Sequence, residues 1–532
     1  MLTLLALFKF FFPYSGFALA SDAVPTVSLP YGTFQGFSDG NLTMFLGVPF
    51  AQAGRFEAPS APKVFKGVQD ATEFGPACPQ QSLSIPLFGS SGFPSISEDC
   101  LSINVFKPIA STDSSKLPVF VVGDSSNLDV SPMVERSMET GEPVIVVSPN
   151  YRLNAFGFLA GQEVASAGVT NLGLRDQIFA LRWVQQHIAA FGGDPDRVVL
   201  GGQSAGAISV AHLLLSNKQN SNSLFRGAFM APGSPLATPT VAEGQSDYDG
   251  LVAANNCTSS SDTLDCLRHV PLDAFWATVN NTANAFSYRS LSLIWRPRVD
   301  GDVLAIEPLV SVSRGLYSEV PFMSGDCDDE GTLFSIAPSN VTTSEEFLDY
   351  AHTFFLPLAS VDQMAEIRRL YPDDPTQGSP FDTGTANQLT PQFKRLAAFQ
   401  GDYVFTGARR FFLEHASARQ NTWSWLSKLG KNTPDFGASH TSDTPVWFPP
   451  SGADTTGVDA LVNFINTLDP NRAAGSSTAN SSIFWPKWNT PSSTGPTSLL
   501  TFSDPDIINI TTENFRVEPI RYLNNLLFKE GV

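Results

Sequence analysis

Basic side chains are scarce in this chain of 532 residues: 32 Lys and Arg stand against 51 Asp and Glu, a formal charge of −19. Such an excess of negative charge repels polyphosphate backbones and anionic bilayers, which excludes nucleic acid as a partner. Charged residues of both signs make up only 16% of the chain, whereas 42% is hydrophobic and 42 residues are Phe. A large core is therefore expected, with aromatic surface left over to line an apolar site. Histidine is rarer still, at six, which narrows the search for a general base. Internal repeats, long runs of like charge and low-complexity linkers are absent. Length alone suggests roughly three or four domains, but large α/β enzymes exceed that prior as one unit.

Cysteine is also sparse. Five residues leave at least one thiol unpaired. Cys78 with Cys100 and Cys257 with Cys266 each close a short segment rich in Pro, Ser or Gly, as an oxidised, exported protein would. Cys327 is then the odd one, read as a buried inert thiol. Met1 to Ala20 is apolar and ends in the small-x-small pattern Ala18-Leu19-Ala20, the mark of a secretory signal, although a basic n-region is missing and Lys9 interrupts the run. It is too short to span a bilayer, so no transmembrane anchor is expected. Sequons at Asn41, Asn256, Asn280, Asn340, Asn480 and Asn509 point the same way.

The stretch that carries chemistry is Gly202-Gln203-Ser204-Ala205-Gly206. A G-x-S-x-G run between a buried strand (Val198 to Leu200) and an apolar helix (Ala207 to Leu215) sets the serine on a strained strand-to-helix turn, where flanking side chains would clash. The rest of the order is α/β. Thr26 to Pro49 reads as a β-rich opening, with a strand near Phe45 to Pro49. The loop between Cys78 and Cys100, with Leu83, Ile85, Leu87, Phe88 and Phe93, is either a flap over a site or a surface Ω-loop. Pro118 to Val122 and Pro143 to Val147 read as buried parallel strands, and Leu174 to Phe191 as a helix closed by Gly192-Gly193. Val320 to Ser324 reads as a strand leading into an acidic loop from Asp326 to Gly331, of a kind that is usually solvated. Gln388 to His415 reads as helical, Asn421 to Leu426 as a strand, and Leu461 to Leu468 as one amphipathic helix in a loop-rich region.

A serine nucleophile needs a base to take its proton and a carboxylate to hold that base. His187 and His212 lie within helices and, with His269, His352 and His415, read as structural. His440 sits in a turn-rich loop after a strand. The order Ser204, Glu330, His440 is nucleophile, acid, base, with Asp326, Asp328 and Asp329 as competing acids.

At these residues the chain resembles the type-B carboxylesterase and lipase family, whose members include cholinesterases and fungal lipases. The resemblance runs nearly end to end: Ser97-Glu98-Asp99-Cys100-Leu101, Asn150-Tyr151-Arg152 with Gly157-Phe158, Asn171 to Gly206, Asp329-Glu330-Gly331-Thr332, and Gly437 to Asp443. Within the family, Thr390 to Arg395 and Leu468-Asp469-Pro470-Asn471 are similar to the fungal lipase branch. The resemblance implies an α/β-hydrolase fold, a large, mostly parallel sheet flanked by helices with a small N-terminal β-rich portion. It implies one domain at 21–532, a triad of Ser204, Glu330 and His440, and no metal or cofactor. The substrate implied is a small-molecule or lipid ester, met in solution or at a lipid interface.

Two departures stand out. Gln203 occupies a position the family usually fills with Glu. After Val122 the chain passes directly to Gly123-Asp124-Ser125-Ser126, where the family carries a glycine-rich loop that supplies most of its oxyanion hole; roughly eight to ten residues are missing, as after a mis-spliced transcript. Ala205 remains an oxyanion donor and Gly123 is a candidate substitute. Losing one such donor costs about 10²- to 10³-fold in turnover. The expected function is thus a secreted serine carboxylic-ester hydrolase acting on apolar esters, with a catalytically silent, cholinesterase-like binding module as the alternative.

Overall fold

The computed structural model describes residues 24–82, 84–85, 89–90, 95–123, 126, 128–216, 224–450, 452–471, 483–489 and 497–530. The signal read at 1–20, the sequon at Asn480, Asp124 and Ser125, and much of the Cys78–Cys100 loop lie outside these residues.

Among the described residues, eleven strands build the main sheet. In chain order they are β1 (Phe37–Asp39), β2 (Leu42–Pro49), β3 (Ser102–Pro108), β4 (Leu117–Val121), β5 (Ile145–Pro149), β6 (Gly193–Gln203), β7 (Gly227–Ala231), β8 (Phe322–Cys327), β9 (Thr422–Lys428), β10 (Ser498–Ser503) and β11 (Ile507–Thr512). Across the sheet they run β11-β10-β9-β8-β7-β6-β4-β5-β3-β2-β1. From β5 to β10 neighbours are parallel, and the two edges are antiparallel. The parallel strands are apolar without alternation because both faces are covered. Along β4, Val119 and Val121 enter one core and Phe120 the other. One core takes in the helices α1 (Leu172–His187) and α2 (Ala205–Leu215); the other holds Trp423, Trp425 and Trp447 and the helix Thr456–Thr467. A three-stranded sheet of Thr26–Leu29, Gly32–Gln35 and Val68–Asp70 forms the β-rich N-terminal portion.

Three expectations change in detail. The helix expected to reach Phe191 ends at His187, and Ile188–Phe191 tightens into a 3₁₀ turn capped by Gly192 at φ 91°. The helical stretch expected over Gln388 to His415 begins at Phe393 and is interrupted by a wide π-type turn at Asp402–Thr406 before resuming over Gly407–Ala416. The acidic segment is not solvated. Asp326 and Cys327 belong to β8, and Asp326, Asp328, Asp329 and Glu330 are all buried, which is tolerable because cations are brought to the three aspartates, as described below.

Disulfides join Cys78 to Cys100, with Cα atoms 5.0 Å apart, and Cys257 to Cys266, at 5.7 Å; Cys327 is free and buried. The base of the first loop is docked: the Ser82 N–H donates to Asn280 Oδ1 at 2.6 Å and the Trp276 indole to the Gln80 carbonyl at 2.8 Å. The short connection after β4 does not pull the strand out of place. β4 stays in register with β5 and β6, and the Val122 N–H still donates to the Val147 carbonyl at 2.9 Å.

Candidate active site

Ser204 stands between β6 and α2 with φ 54° and ψ −122°. A non-glycine residue held there stores on the order of 1–3 kcal/mol, which surrounding contacts must over-determine. They do: the Ser204 N–H donates to the Ala231 carbonyl at 2.8 Å and the Ser204 carbonyl accepts from Ile208 N–H at 3.0 Å. The two glycines of the motif are not equivalent, contrary to the expectation that both relieve a clash. A Cβ on Gly202 would lie 2.3 Å from the Gly206 carbonyl oxygen, whereas a Cβ on Gly206 meets nothing within 4 Å. Gly202 is therefore required by the turn, and Gly206 faces open space.

His440 reaches Ser204 from the loop that follows β9. Its Nε2 lies 2.8 Å from Ser204 Oγ and its Nδ1 2.5 Å from Glu330 Oε2. Glu330 Oε1 accepts the Cys327 N–H at 2.5 Å, so both carboxylate oxygens are engaged. Burial pulls the His440 imidazole down to about 4, against the opposing pull of Asp443 and Asp326, which keeps the ring neutral and able to accept a proton near pH 7. Burial, with the Asp326 carboxylate, pushes Glu330 up, opposed by the Cys327 N–H.

The competing acids go elsewhere. Asp326 takes the Arg409 Nε at 2.6 Å, Asp328 the Lys431 ammonium at 2.5 Å, and Asp329 the same ammonium at 2.8 Å. Among the described residues the other histidines lie apart from Ser204: His187 packs on Tyr31 and Trp183, His269 is exposed, His352 and His415 bond carbonyls of Ala359 and Phe411, and His212 is buried in α2. Cys327 lies behind the site, its thiol pushed up by burial and 3.5 Å from Asp443 Oδ1.

Of the two oxyanion candidates, Ala205 is exposed and opens α2, where the first N–H groups have no acceptor within the helix. Val121 pairs with Leu200, so continuing that parallel register sets Gly123 level with Gly202, at the same sheet edge as the serine. The Gln203 amide nitrogen is buried without a hydrogen-bond partner among the described residues.

Sequence reasoning missed two sets of residues. Asp443, three residues after His440, accepts from the Trp425 and Trp447 indoles at 3.1 and 3.3 Å; its place in the histidine motif was the available signal. Phe334 and Phe405 pack on the imidazole with ring centroids 5.2 and 4.6 Å away, and Phe286 stacks on Phe334. With Leu236 and Leu291 they form an apolar wall beside the serine. No local pattern announces it, because its members come from distant segments.

Chemically, a hydroxyl bonded to a neutral imidazole that is itself held by a carboxylate can attack a carbonyl as its proton leaves. Among the described residues no group of three His, Cys, Asp or Glu could hold a metal ion, and no helix is long and apolar enough to cross a membrane.

Comparison with known proteins agrees with this chemistry. The family model described as the carboxylesterase family matches residues 23–507. The chain is 38% identical to Secreted lipase 1 of Botryotinia fuckeliana, over 88% of each chain. It is 34% identical to a secreted triacylglycerol lipase of Gibberella zeae, over 94% of this chain and 90% of that protein. The crystal structure of Aspergillus niger EstA superposes with a TM-score of 0.81 at 26% identity, covering 96% of this chain and 100% of the other. The fold is that of the α/β-hydrolases, and the chain belongs to the carboxylesterase family, as a hydrolase of carboxylic esters.

Proposed function

We propose that this protein is a secreted serine esterase of the lipase type, working through an acyl-enzyme formed on Ser204. The observation that carries this reading is the unbroken line Ser204 Oγ, His440, Glu330 at 2.8 and 2.5 Å. Ser204 Oγ attacks the ester carbonyl while His440 Nε2 takes its proton. The tetrahedral oxyanion is met by the Ala205 N–H, with Gly123 as second donor. His440 then returns the proton to the leaving alcohol, and a water molecule repeats the sequence to release the acid. Glu330 holds the imidazole by Nδ1 and supports its positive charge. Export is supported by the secretory pattern at Met1 to Ala20, by the two disulfides and by relatives named as secreted lipases. We read 21–532 as one domain after cleavage of that leader.

The apolar wall of Phe334, Phe405 and Phe286, together with the lipase names of the relatives, supports apolar acyl chains as substrate. The silent binding module rests on the Val122-Gly123 junction alone. One experiment separates the two: an organophosphonate ester should label Ser204 stoichiometrically, and p-nitrophenyl esters from C4 to C16 should be turned over, with activity kept on the long, emulsified members. Failure to label would leave the binding module as the better reading.

A further inference from the structure

β11 (Ile507–Thr512) is the last strand at one end of the main sheet and is paired with β10 on one side only. In an antiparallel ladder, residues alternate between exchanging both backbone bonds with the neighbouring strand and turning both groups away from it. The Glu513 N–H donates to the Thr497 carbonyl at 2.9 Å. Counting by twos from this pair turns the backbone groups of Thr511, Asn509 and Ile507 toward β10, and those of Thr512, Ile510 and Ile508 outward. The Thr512 carbonyl is taken by the Asn514 N–H at 3.1 Å, whereas the outward groups of Ile508 and Ile510 meet no backbone partner among the described residues.

Such a row is a template for another strand, and exposed edges are usually blunted by charge, proline, a bulge or brevity. β11 has none of these. Its six residues, Ile-Ile-Asn-Ile-Thr-Thr, include no charge, Pro or Gly, its register with β10 runs without a shift, and Ile507 and Ile510 are 49% and 40% exposed. Low charge, β-branched side chains and the absence of Pro favour self-pairing. The opposite edge of the sheet, β1, has the ordinary protection: it is three residues long and ends on the exposed Asp39.

What β11 has instead is a sequon at its centre, Asn509-Ile510-Thr511. Asn509 is exposed, and the register sets it opposite Thr501 of β10. The sequon at Asn280 differs, being half-buried with its Oδ1 taken by the Ser82 N–H at 2.6 Å.

We propose that Asn509 carries an N-linked oligosaccharide, and that this sugar keeps the free edge of β11 from pairing with a second copy of the chain. The modification rests on the export proposed above, because its donor, an oligosaccharide carried on a polyprenyl pyrophosphate, is met on the secretory route. Asn509 Nδ2 bonds to the anomeric carbon of the first N-acetylglucosamine and gives up one proton. The bond from that carbon to the pyrophosphate oxygen breaks, its electron pair leaving on the lipid pyrophosphate, and nothing is oxidised or reduced. A second β11 laid on this edge would sit about 5 Å away, within the space that a branched sugar rooted at mid-strand fills.

The full chain secreted from a eukaryotic host tests this, with export scored separately by removal of the leader and appearance in the medium. Peptides treated with an N-glycosidase in heavy-oxygen water should show Asn509 converted to labelled aspartate by mass spectrometry. In sedimentation velocity the unaltered chain should keep a single monomer boundary as concentration rises, whereas Asn509→Gln should lose most of it to dimers and larger species. Adding Ile510→Lys, which places a charge on the edge, should restore the single boundary. Should Asn509→Gln fail to be exported, trimming the folded, secreted chain with an endoglycosidase should bring on the same association, and Ile510→Lys, which keeps the sequon, should prevent it. An exported chain with a bare Asn509 overturns the proposal and leaves the secretory reading standing; a chain retained with its leader uncleaved overturns both. Equal dispersity with and without the sugar, or association that Ile510→Lys does not relieve, also overturns the proposal.

Discussion

Asp329 and Ala438 are bonded twice: the Asp329 N–H donates to the Ala438 carbonyl and the Ala438 N–H to Asp329 Oδ2, both at 2.9 Å. The contact joins the loops of the proposed acid and base, one residue before Glu330 and two before His440. Asp329 also accepts Ser379 Oγ–H at 3.0 Å and Phe381 N–H at 2.8 Å, and pairs with Lys431. Asp329→Asn keeps the size but gives up the charge that Lys431 answers. It should lower kcat by about 10-fold or more through misalignment of the pair, with KM little changed, and destabilise the fold by roughly 1–3 kcal/mol. Ester kinetics and urea unfolding check both.

The pH profile follows from the burial of His440. A base must be neutral to accept the serine proton, so activity falls as pH drops through its pKa. With the imidazole pulled down to about 4, the acid limb of kcat/KM should lie well below the ordinary histidine value. An acid limb at or above 6.5 would contradict this. Glu330→Gln, which keeps a bond acceptor but not the charge, should cut kcat by about 10³- to 10⁴-fold.

The inequality of the two motif glycines makes a direct forecast. Gly202→Ala must displace the Gly206 backbone and should cost stability and nearly all turnover. Gly206→Ala should fold with a melting temperature close to that of the unaltered chain, any loss appearing in kcat/KM alone. Equal thermal effects of the two would refute the reading.

Acid sensitivity should be set by Glu513. This buried carboxylate accepts from Arg409 Nη2 at 2.5 Å and Arg410 Nε at 2.7 Å, and burial is outweighed by these arginines, holding it near about 2. Because the folded value is depressed, the stabilisation is present above the unfolded value of about 4.5 and lost as pH falls toward 2, in total about 3 kcal/mol. Arg409→Met strands Asp326 and Glu513 together and should cost about 3–5 kcal/mol near neutrality. Unfolding curves from pH 7 to 3 would show whether the variant loses the acid slope.

How much of this was legible in the chain depends on the range of the forces involved. Strand and helix identity along β4, β5, β6, α1 and α2 follows from local apolar patterning, and the turn at Ser204 from its glycines, because both rest on neighbours a few residues away. The order of Ser204, Glu330 and His440 was likewise readable, although local patterning alone left Asp326, Asp328 and Asp329 as rivals. Choosing among four adjacent acids needed the fold, since only packing decides which carboxylate meets an imidazole more than a hundred positions away and which ones meet Arg409 and Lys431. The aromatic wall at His440 is a tertiary fact in the same sense. Burial exists only once distant segments close around a side chain.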